Sequence, residues 1–263
     1  MRNLPEEIRK YVGTEKYTTD SVGMSGASIL IFKDMVLKVE RESQEADREA
    51  GVMKWLKGRL PVPEVICHKK QEGMNYLLMT KAAGEMSCHK RYMEEPQKLT
   101  AILAEGLEML WQVDLSGFPF DCGLDKKLEM ARVQVENHLV DLDNVEPETF
   151  GKGGFADPAE LLDWLVRNRP EEEPVFSHGD FCLPNIFVKD GKVSGFIDLG
   201  RAGVMDKYQD IALGYRSLKH NYEGKYRGER RYEGYRPEEL FGQLGVRPDL
   251  EKIRYYILLD ELF

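Results

Sequence analysis

The sequence predicts an α+β chain in two lobes, a small β-sheet lobe with one main helix followed by a larger, mainly helical lobe that carries a hairpin. Three observations predict it. Short β-branched runs, SILIF and MVLKV, alternate with turn residues near the start, as antiparallel strands do. Beyond residue 95 the apolar residues fall at helical spacing instead, most plainly in PQKLTAILAEGLEMLWQV. The small-residue segment KAAG (81–84) stands between the two regimes and divides residues 1–82 from 83–263. A length of 263 residues, at roughly 150 per domain, also suggests two compact units.

Strands are expected over Tyr17 to Glu40, broken at Lys33-Asp34. From Gln44 to Lys57 the β-branched character is lost, Ala46, Ala50, Met53 and Leu56 fall near helical spacing, and Gly58 follows; one helix is expected there. EVICHKKQEGMNYLLMT (64–80) reads as a hairpin turning at Glu72-Gly73. In the second lobe Leu99, Ile102, Leu103, Leu107, Leu110 and Trp111 form one stripe of a helix, and in DPAELLDWLVRN Asp157 is placed to cap, with Pro158 in the first turn. KHNYEGKYRGERRYEGYR (219–236) is rich in Tyr and Arg, but Glu223, Glu229 and Glu233 interrupt its positive charge. It reads as a solvated insertion between helices rather than an RNA-binding patch.

Bulk properties narrow the classes of function. With 42% hydrophobic and 32% charged residues the chain has the balance of a globular protein. A net charge of −9 repels phosphate backbones, so nucleic acid is not expected as a partner. MRNLPEEIRK lacks an apolar signal core and no window approaches 18 apolar residues, so no membrane association and a cytoplasmic location are expected. The four cysteines (67, 88, 122 and 182) form no CxxC pair and are expected to be reduced, without a part in chemistry.

SHGDFCLPNIFVKDGKVSGFIDLG (177–200) carries the chemistry. Asp190-Gly191 reads as a type I′ turn, and counting back from it pairs Val188 with Val193, Phe187 with Ser194, Ile186 with Gly195 and Asn185 with Phe196. Asp198 is then diagonal to Asn185, on the same face and roughly 7 to 8 Å away. Two hard oxygen ligands would converge, which suits Mg²⁺ held by one or two protein groups plus substrate phosphates. Asp180 lies in the tight loop before them, where its carboxylate can accept the proton of an attacking hydroxyl. Singly, Asp180, Asn185 and Asp198 read as turn or strand-edge residues; the combination H-G-D-x₄-N, a DG hairpin and a strand ending in D-L-G points to phosphoryl transfer. His178 reads as structural.

No P-loop is present, and GMSGAS (23–28) is the one phosphate-loop candidate, weak by itself. Lys38, one strand later, is placed to pair the α- and β-phosphates, and Glu49 on the following helix to orient it.

With these residues in view, the chain resembles the aminoglycoside 3′-phosphotransferase family from end to end, in VFSHGDFCLPNIFVKDGKVSGFIDLGR, DKYQDIAL, REAGVMKWLKGRLPVP and YYILLDELF, in the same order. The resemblance implies a bilobal protein-kinase-like fold and ATP and Mg²⁺ as cofactors. Asp180 is implied as catalytic base or hydroxyl-orienting group, Asn185 and Asp198 as Mg²⁺ ligands, Lys38 on the nucleotide phosphates with Glu49 as its partner, and Ser25 in the phosphate-covering loop. Thr80 to Ala82 would bind the adenine edge through their backbone. The tail gathers Asp260, Glu261 and the α-carboxylate of Phe263 within four residues, a set suited to a polycation, and the family uses this tail for aminoglycoside ammonium groups. Glu146 and Arg201 are further implied drug contacts, Arg201 being equally suited to ordering acidic groups. Val36 and Leu183 depart from residues carried by some relatives, an aromatic and an acid, which leaves nucleotide preference and drug range open.

The competing readings are a kinase of another small hydroxyl substrate (macrolide, choline or sugar), against which the acidic tail argues, and a nucleotide-binding pseudokinase, against which intact Lys38, Asp180, Asn185 and Asp198 argue. Protein kinase activity is disfavoured because Gly179 stands where H-R-D has Arg and no A-P-E follows D-L-G before Asp210. No obligatory protein partner is inferred.

Overall fold

Strands form where the β-branched runs stand. In a computed structural model, which describes residues 4–19, 26–120, 122–225, 230–236 and 238–263, a short helix α1 (Glu6–Val12) leads into β1 (Thr18–Thr19), β2 (Ser28–Ile31) and β3 (Met35–Arg41). Then come α2 (Gln44–Leu56), β4 (Val65–Gln71), β5 (Met74–Thr80) and a two-residue β6 (Glu85–Met86). The first five strands make one antiparallel sheet in the order β1-β2-β3-β5-β4. The β4–β5 turn falls at Glu72-Gly73, both in left-handed conformation (φ 53° and 73°), as a type I′ turn requires. α1 buries Ile8 and Val12 in the same apolar cluster as Phe32, Leu37, Tyr76 and Leu78.

Helices dominate the rest: α3 (Lys90–Met93), α4 (Pro96–Trp111), α5 (Leu124–Glu136) and α6 (Pro158–Arg167). After them come β7 (Pro174–Ser177), β8 (Ile186–Lys189), β9 (Lys192–Phe196), β10 (Gly203–Asp206), α7 (Lys207–Glu223), α8 (Glu239–Leu244) and α9 (Leu250–Asp260). The expected stripe of α4 is buried at Leu99, Ile102, Leu103, Leu107 and Leu110, each 3% exposed or less; burial of each such side chain contributes about 1.5–3 kcal/mol. Trp111, the last of the stripe, is only half-buried. Asp157 caps α6 by accepting the Glu160 N–H, with Pro158 in the first turn. No helix among the described residues is long and apolar enough to cross a membrane.

Two compact units emerge, Met1–Met86 with Asn185–Arg201, and Ser87–Pro184 with Ala202–Phe263. The expected cut near residue 82 thus moves a few residues on, and the β8–β9 hairpin, placed by the sequence in the second lobe, belongs to the first unit. The reason is its hydrogen bonding: β6 pairs with β8 (Glu85 with Val188, Met86 with Phe187), and the Phe196 N–H donates to the Pro61 carbonyl at 2.9 Å.

The hairpin register also differs from the count. Its turn is as expected, with Asp190 and Gly191 at φ 52° and 77°, and Val188 faces Val193. Beyond them Phe187 faces Gly195 and Ile186 faces Phe196. A β-bulge leaves Ser194 as the extra residue, its hydroxyl donating to the Ala83 carbonyl at 2.5 Å. Asn185 consequently pairs one residue further on, its carbonyl accepting the Ile197 N–H at 3.0 Å.

The first residues of the segment 219–236 are less solvated than its composition suggests. α7 continues through Glu223 and buries His220, Asn221 and Tyr222, ending at left-handed Gly224. Tyr222 is 4% exposed and stacks on Tyr235 with ring centroids 4.1 Å apart. Tyr232 and Tyr235, which composition assigned to a surface loop, pack their rings on Tyr222 at the helix end; residues 226–229 lie outside the described residues.

Candidate functional site

In the first unit, β3 and α2 place Lys38 and Glu49 against each other. Lys38 is 8% exposed and Glu49 1%; their Nζ–Oε2 distance is 2.9 Å, and Nζ also donates to Asp198 Oδ1 at 2.8 Å. Glu40, two residues along β3 and so on the same face, brings a third carboxylate to 3.4 Å from Nζ. Burial works against the ammonium, but Glu49, Asp198 and Glu40 together hold the Lys38 pKa above its ordinary value. Burial raises Glu49, with Lys38 pulling the other way. A lysine so enclosed is charged at any physiological pH.

The D-L-G-R stretch after β9 docks residue by residue on this centre. Asp198 adopts the left-handed conformation (φ 58°), which ends the strand and turns the chain. The Leu199 N–H reaches Glu49 Oε1 at 3.3 Å, and a Cβ on Gly200 would lie 2.9 Å from the Glu45 carbonyl oxygen. Arg201 Nε donates to Glu45 Oε1 at 3.0 Å, so Arg201 orders an acidic residue of α2. Asp198 therefore stands in a left-handed turn beyond the end of β9, and not on the regular pleat by which the count set it diagonal to Asn185. Asn185 ends a 3₁₀ turn, Leu183–Asn185, directly before β8. Asn185 and Asp198 both offer hard oxygen donors, the chemistry Mg²⁺ selects when other oxygens complete its shell; no group of three or more His, Cys, Asp or Glu among the described residues is arranged to hold an ion. Thr80 closes β5, accepting the Glu64 N–H on its hydroxyl at 2.9 Å; Ala82 follows outside any strand. Ser25 lies outside the described residues.

In the second unit, β7 pairs with β10 and delivers the H-G-D loop. Gly179 has φ 81°, a conformation that costs an L-residue energy. The amides of His178 and Gly179 both donate to the buried Asp210, at 2.6 Å (Oδ2) and 2.9 Å (Oδ1). Burial raises the Asp210 pKa, opposed by His178 and by these N–H groups. His178 is fully buried, as expected of a structural residue, its ring edge-on to Phe181. Asp180, at the end of this clamp, is half-buried. Asp210→Ala would leave the buried His178 N–H without an acceptor, costing about 1–3 kcal/mol, and the Gly179 N–H with only Ser177 Oγ at 3.2 Å; a lowered midpoint in denaturant is expected, with Asp210→Asn in between.

Of the acidic groups of the tail, Glu261 meets Glu146. The Glu146 N–H donates to Glu261 Oε2 at 2.7 Å, while its carboxylate meets His220 Nε2 at 2.7 Å and Lys225 Nζ at 3.3 Å. The His220 hydrogen bond, opposed by partial burial, holds Glu146 down to a pKa of about 2. Asp260 and Glu261 share the guanidinium of Arg216, Glu261 at 3.1 Å. Glu261 is nevertheless pushed up to about 7 by burial, against the Glu146 N–H and Arg216. Phe263 lies under Lys127, with Nζ 5.7 Å from the ring centroid. Asp210, Arg216 and His220 escaped the sequence reading. Each acts on a residue tens of positions away, and only the family-like stretch DKYQDIAL marked the first of them.

With that geometry in place, similarity to known proteins is informative. The family profile described as phosphotransferase enzyme family matches residues 22–241. An aminoglycoside 3′-phosphotransferase from Enterococcus faecalis is 41% identical over 276 residues, covering 100% of this chain and 99% of that one. One from Staphylococcus aureus is 40% identical over 275 residues, with the same coverage. Among solved structures, a 3″-type aminoglycoside phosphotransferase from Streptomyces rimosus superimposes with a TM-score of 0.80 at 26% identity, over 97% of this chain and 95% of that one.

Proposed function

The chain belongs to the phosphotransferase enzyme family and, within it, to the aminoglycoside 3′-phosphotransferases, and from that membership we propose that it transfers the γ-phosphoryl group of ATP to the 3′-hydroxyl of an aminoglycoside, giving resistance in the cytoplasm. The observation that carries the reading is the buried ammonium of Lys38 held between Glu49 and Asp198. It is a fixed positive charge ready for the α- and β-phosphates, beside a carboxylate suited to a cation. Asn185 and Asp198 would hold Mg²⁺, which when bound neutralises charge on the phosphates. Thr80 to Ala82 would meet the adenine edge, and Ser25 the phosphates.

Asp180 orients the acceptor hydroxyl and takes its proton as the oxygen–phosphorus bond forms and the bond to the departing ADP oxygen breaks. The clamp of Asp210 on the two preceding amides holds that loop in one conformation, so the contribution is mainly positional. Glu146, Asp260, Glu261 and Phe263 supply the anionic surface for ammonium groups of the drug, which compete with Arg216 and Lys225 for it; Arg201 supports the site by ordering Glu45. Phosphorylation adds about −1.5 to −2 charges to a ligand that depends on positive charge to bind RNA, so the product is inactive.

The 3″ specificity of the Streptomyces rimosus enzyme, on the same fold, makes the acceptor position the point to test. ADP release is measured with Mg-ATP and kanamycin, and beside it with tobramycin, which lacks the 3′-hydroxyl. Turnover with kanamycin alone is expected. Equal turnover with both would move the acceptor hydroxyl, and none with either would favour another small hydroxyl substrate.

A further inference from the structure

The cysteines carry no disulfide, and one of them touches the proposed base. Cys182 Sγ lies 3.0 Å from Asp180 Oδ1, and the Cys182 N–H donates to the Asp180 carbonyl at 2.9 Å. The two residues are thus joined twice, through backbone and side chain, in one turn of the loop. The next residue fixes that turn: the Leu183 N–H donates to Ser217 Oγ at 3.0 Å, and its carbonyl accepts from Ser87 Oγ at 2.8 Å. Gly214, on the same helix as Ser217, packs close to Phe181, where a Cβ would lie 3.1 Å from the ring. The backbone around Cys182 is held from both sides, so the Sγ–Oδ1 contact is a property of the fold.

We propose that Cys182 is a positioning residue, its thiol donating a hydrogen bond that fixes the orientation of the Asp180 carboxylate for the acceptor hydroxyl. The inference rests on the reading of Asp180 as the proton acceptor. Burial first, and then the charge of Asp180, push the Cys182 thiol well above its ordinary pKa, with Arg216 pulling the other way. The group is therefore a protonated donor and not a nucleophile. The weakness of S–H as a donor suits the task. A cationic donor in the same place would favour the ionised carboxylate strongly and oppose proton uptake; a neutral thiol restricts the rotamer with little such effect. A residue that the composition assigned no chemistry is thus a side chain that orients the base.

Two measurements test it. In the full-length enzyme, Cys182→Ala is expected to lower kcat about tenfold, the loss that about 1.4 kcal/mol of misorientation produces, with KM for ATP and for kanamycin within about twofold. Cys182→Ser, which restores a donor, is expected to recover most of the rate. An unchanged kcat in Cys182→Ala would overturn the proposal because the thiol would then have no effect on turnover, and equal losses in the Ala and Ser variants would overturn it because side-chain volume, not a donor, would then be the property that matters. Independently of activity, the infrared S–H stretching band that disappears in Cys182→Ser is expected at lower frequency in the wild type than in Asp180→Ala. A band in the same position in both overturns the proposal. Should Cys182→Ala fail to fold, the band and the Ser variant decide. Full turnover in Asp180→Ala would instead remove the reading of Asp180 itself, an outcome separate from the Cys182 results.

Discussion

Asp180→Ala is expected to lower kcat by roughly 10²- to 10⁴-fold, the range attributed to a positioned proton acceptor, while ATP still binds with near-normal affinity. The split follows from where the groups reside. Lys38, Glu49, Asn185 and Asp198 belong to the first unit and Asp180 to the second, and Lys38 is fixed by Glu49 and Asp198 of its own unit. The loop itself is held by the amides of His178 and Gly179 on Asp210, so truncating a half-buried side chain at its end should leave the fold intact. Calorimetric titration with ATP beside steady-state ADP release checks both halves. Loss of nucleotide binding in parallel with turnover would place Asp180 in the nucleotide site, and undiminished turnover would remove it from the mechanism.

Much of the fold was legible because its signals are local. Glu72-Gly73 and Asp190-Gly191 take the left-handed conformations that such pairs favour. Asp157 caps α6 with the offset that capping requires. What was illegible is long-range. β6 has two residues, too few for any periodicity, yet its pairing with β8 draws the hairpin into the first unit. The bulge at Ser194 shifted the register because an inserted residue leaves no trace in a pattern of alternating side chains.

The site divides the same way. Lys38, Glu49 and Asp198 could be named from the sequence because a charged residue on a strand, an acid on the next helix and D-L-G after a hairpin form an ordered set. Their convergence in space is what the structure adds. The acids of the tail were also visible, but not that Arg216 and the Glu146 amide already occupy Asp260 and Glu261. A cation that neutralises an acidic cluster from another helix has no sequence signature, which is why composition alone overstates the free negative charge offered to a ligand.

Removing Lys38 alone should destabilise the enzyme more than removing Lys38 and Glu49 together. Lys38→Met leaves Glu49, 1% exposed, without its cation, and an uncompensated buried charge costs about 3–5 kcal/mol. Lys38→Met/Glu49→Leu replaces the fully buried pair by apolar groups of similar volume and is expected to recover a large part of that loss, although Glu40 and Asp198 still lack the ammonium and the Leu199 N–H lacks its acceptor on Glu49. Neither variant should turn over, since the charge facing the phosphates is gone from both. The single variant should also show a distinctive pH dependence. Burial already raises the Glu49 pKa against the pull of Lys38, and without Lys38 that pull disappears. A carboxyl group with a folded pKa above its unfolded value takes up a proton on folding, so the penalty is smallest in acid and grows as pH rises above about 4.5. Urea unfolding of the wild type, single and double variants at several pH values measures this directly. A double variant as unstable as the single, or a single variant whose deficit does not grow with pH, would show that the pair is not held as a buried charge couple.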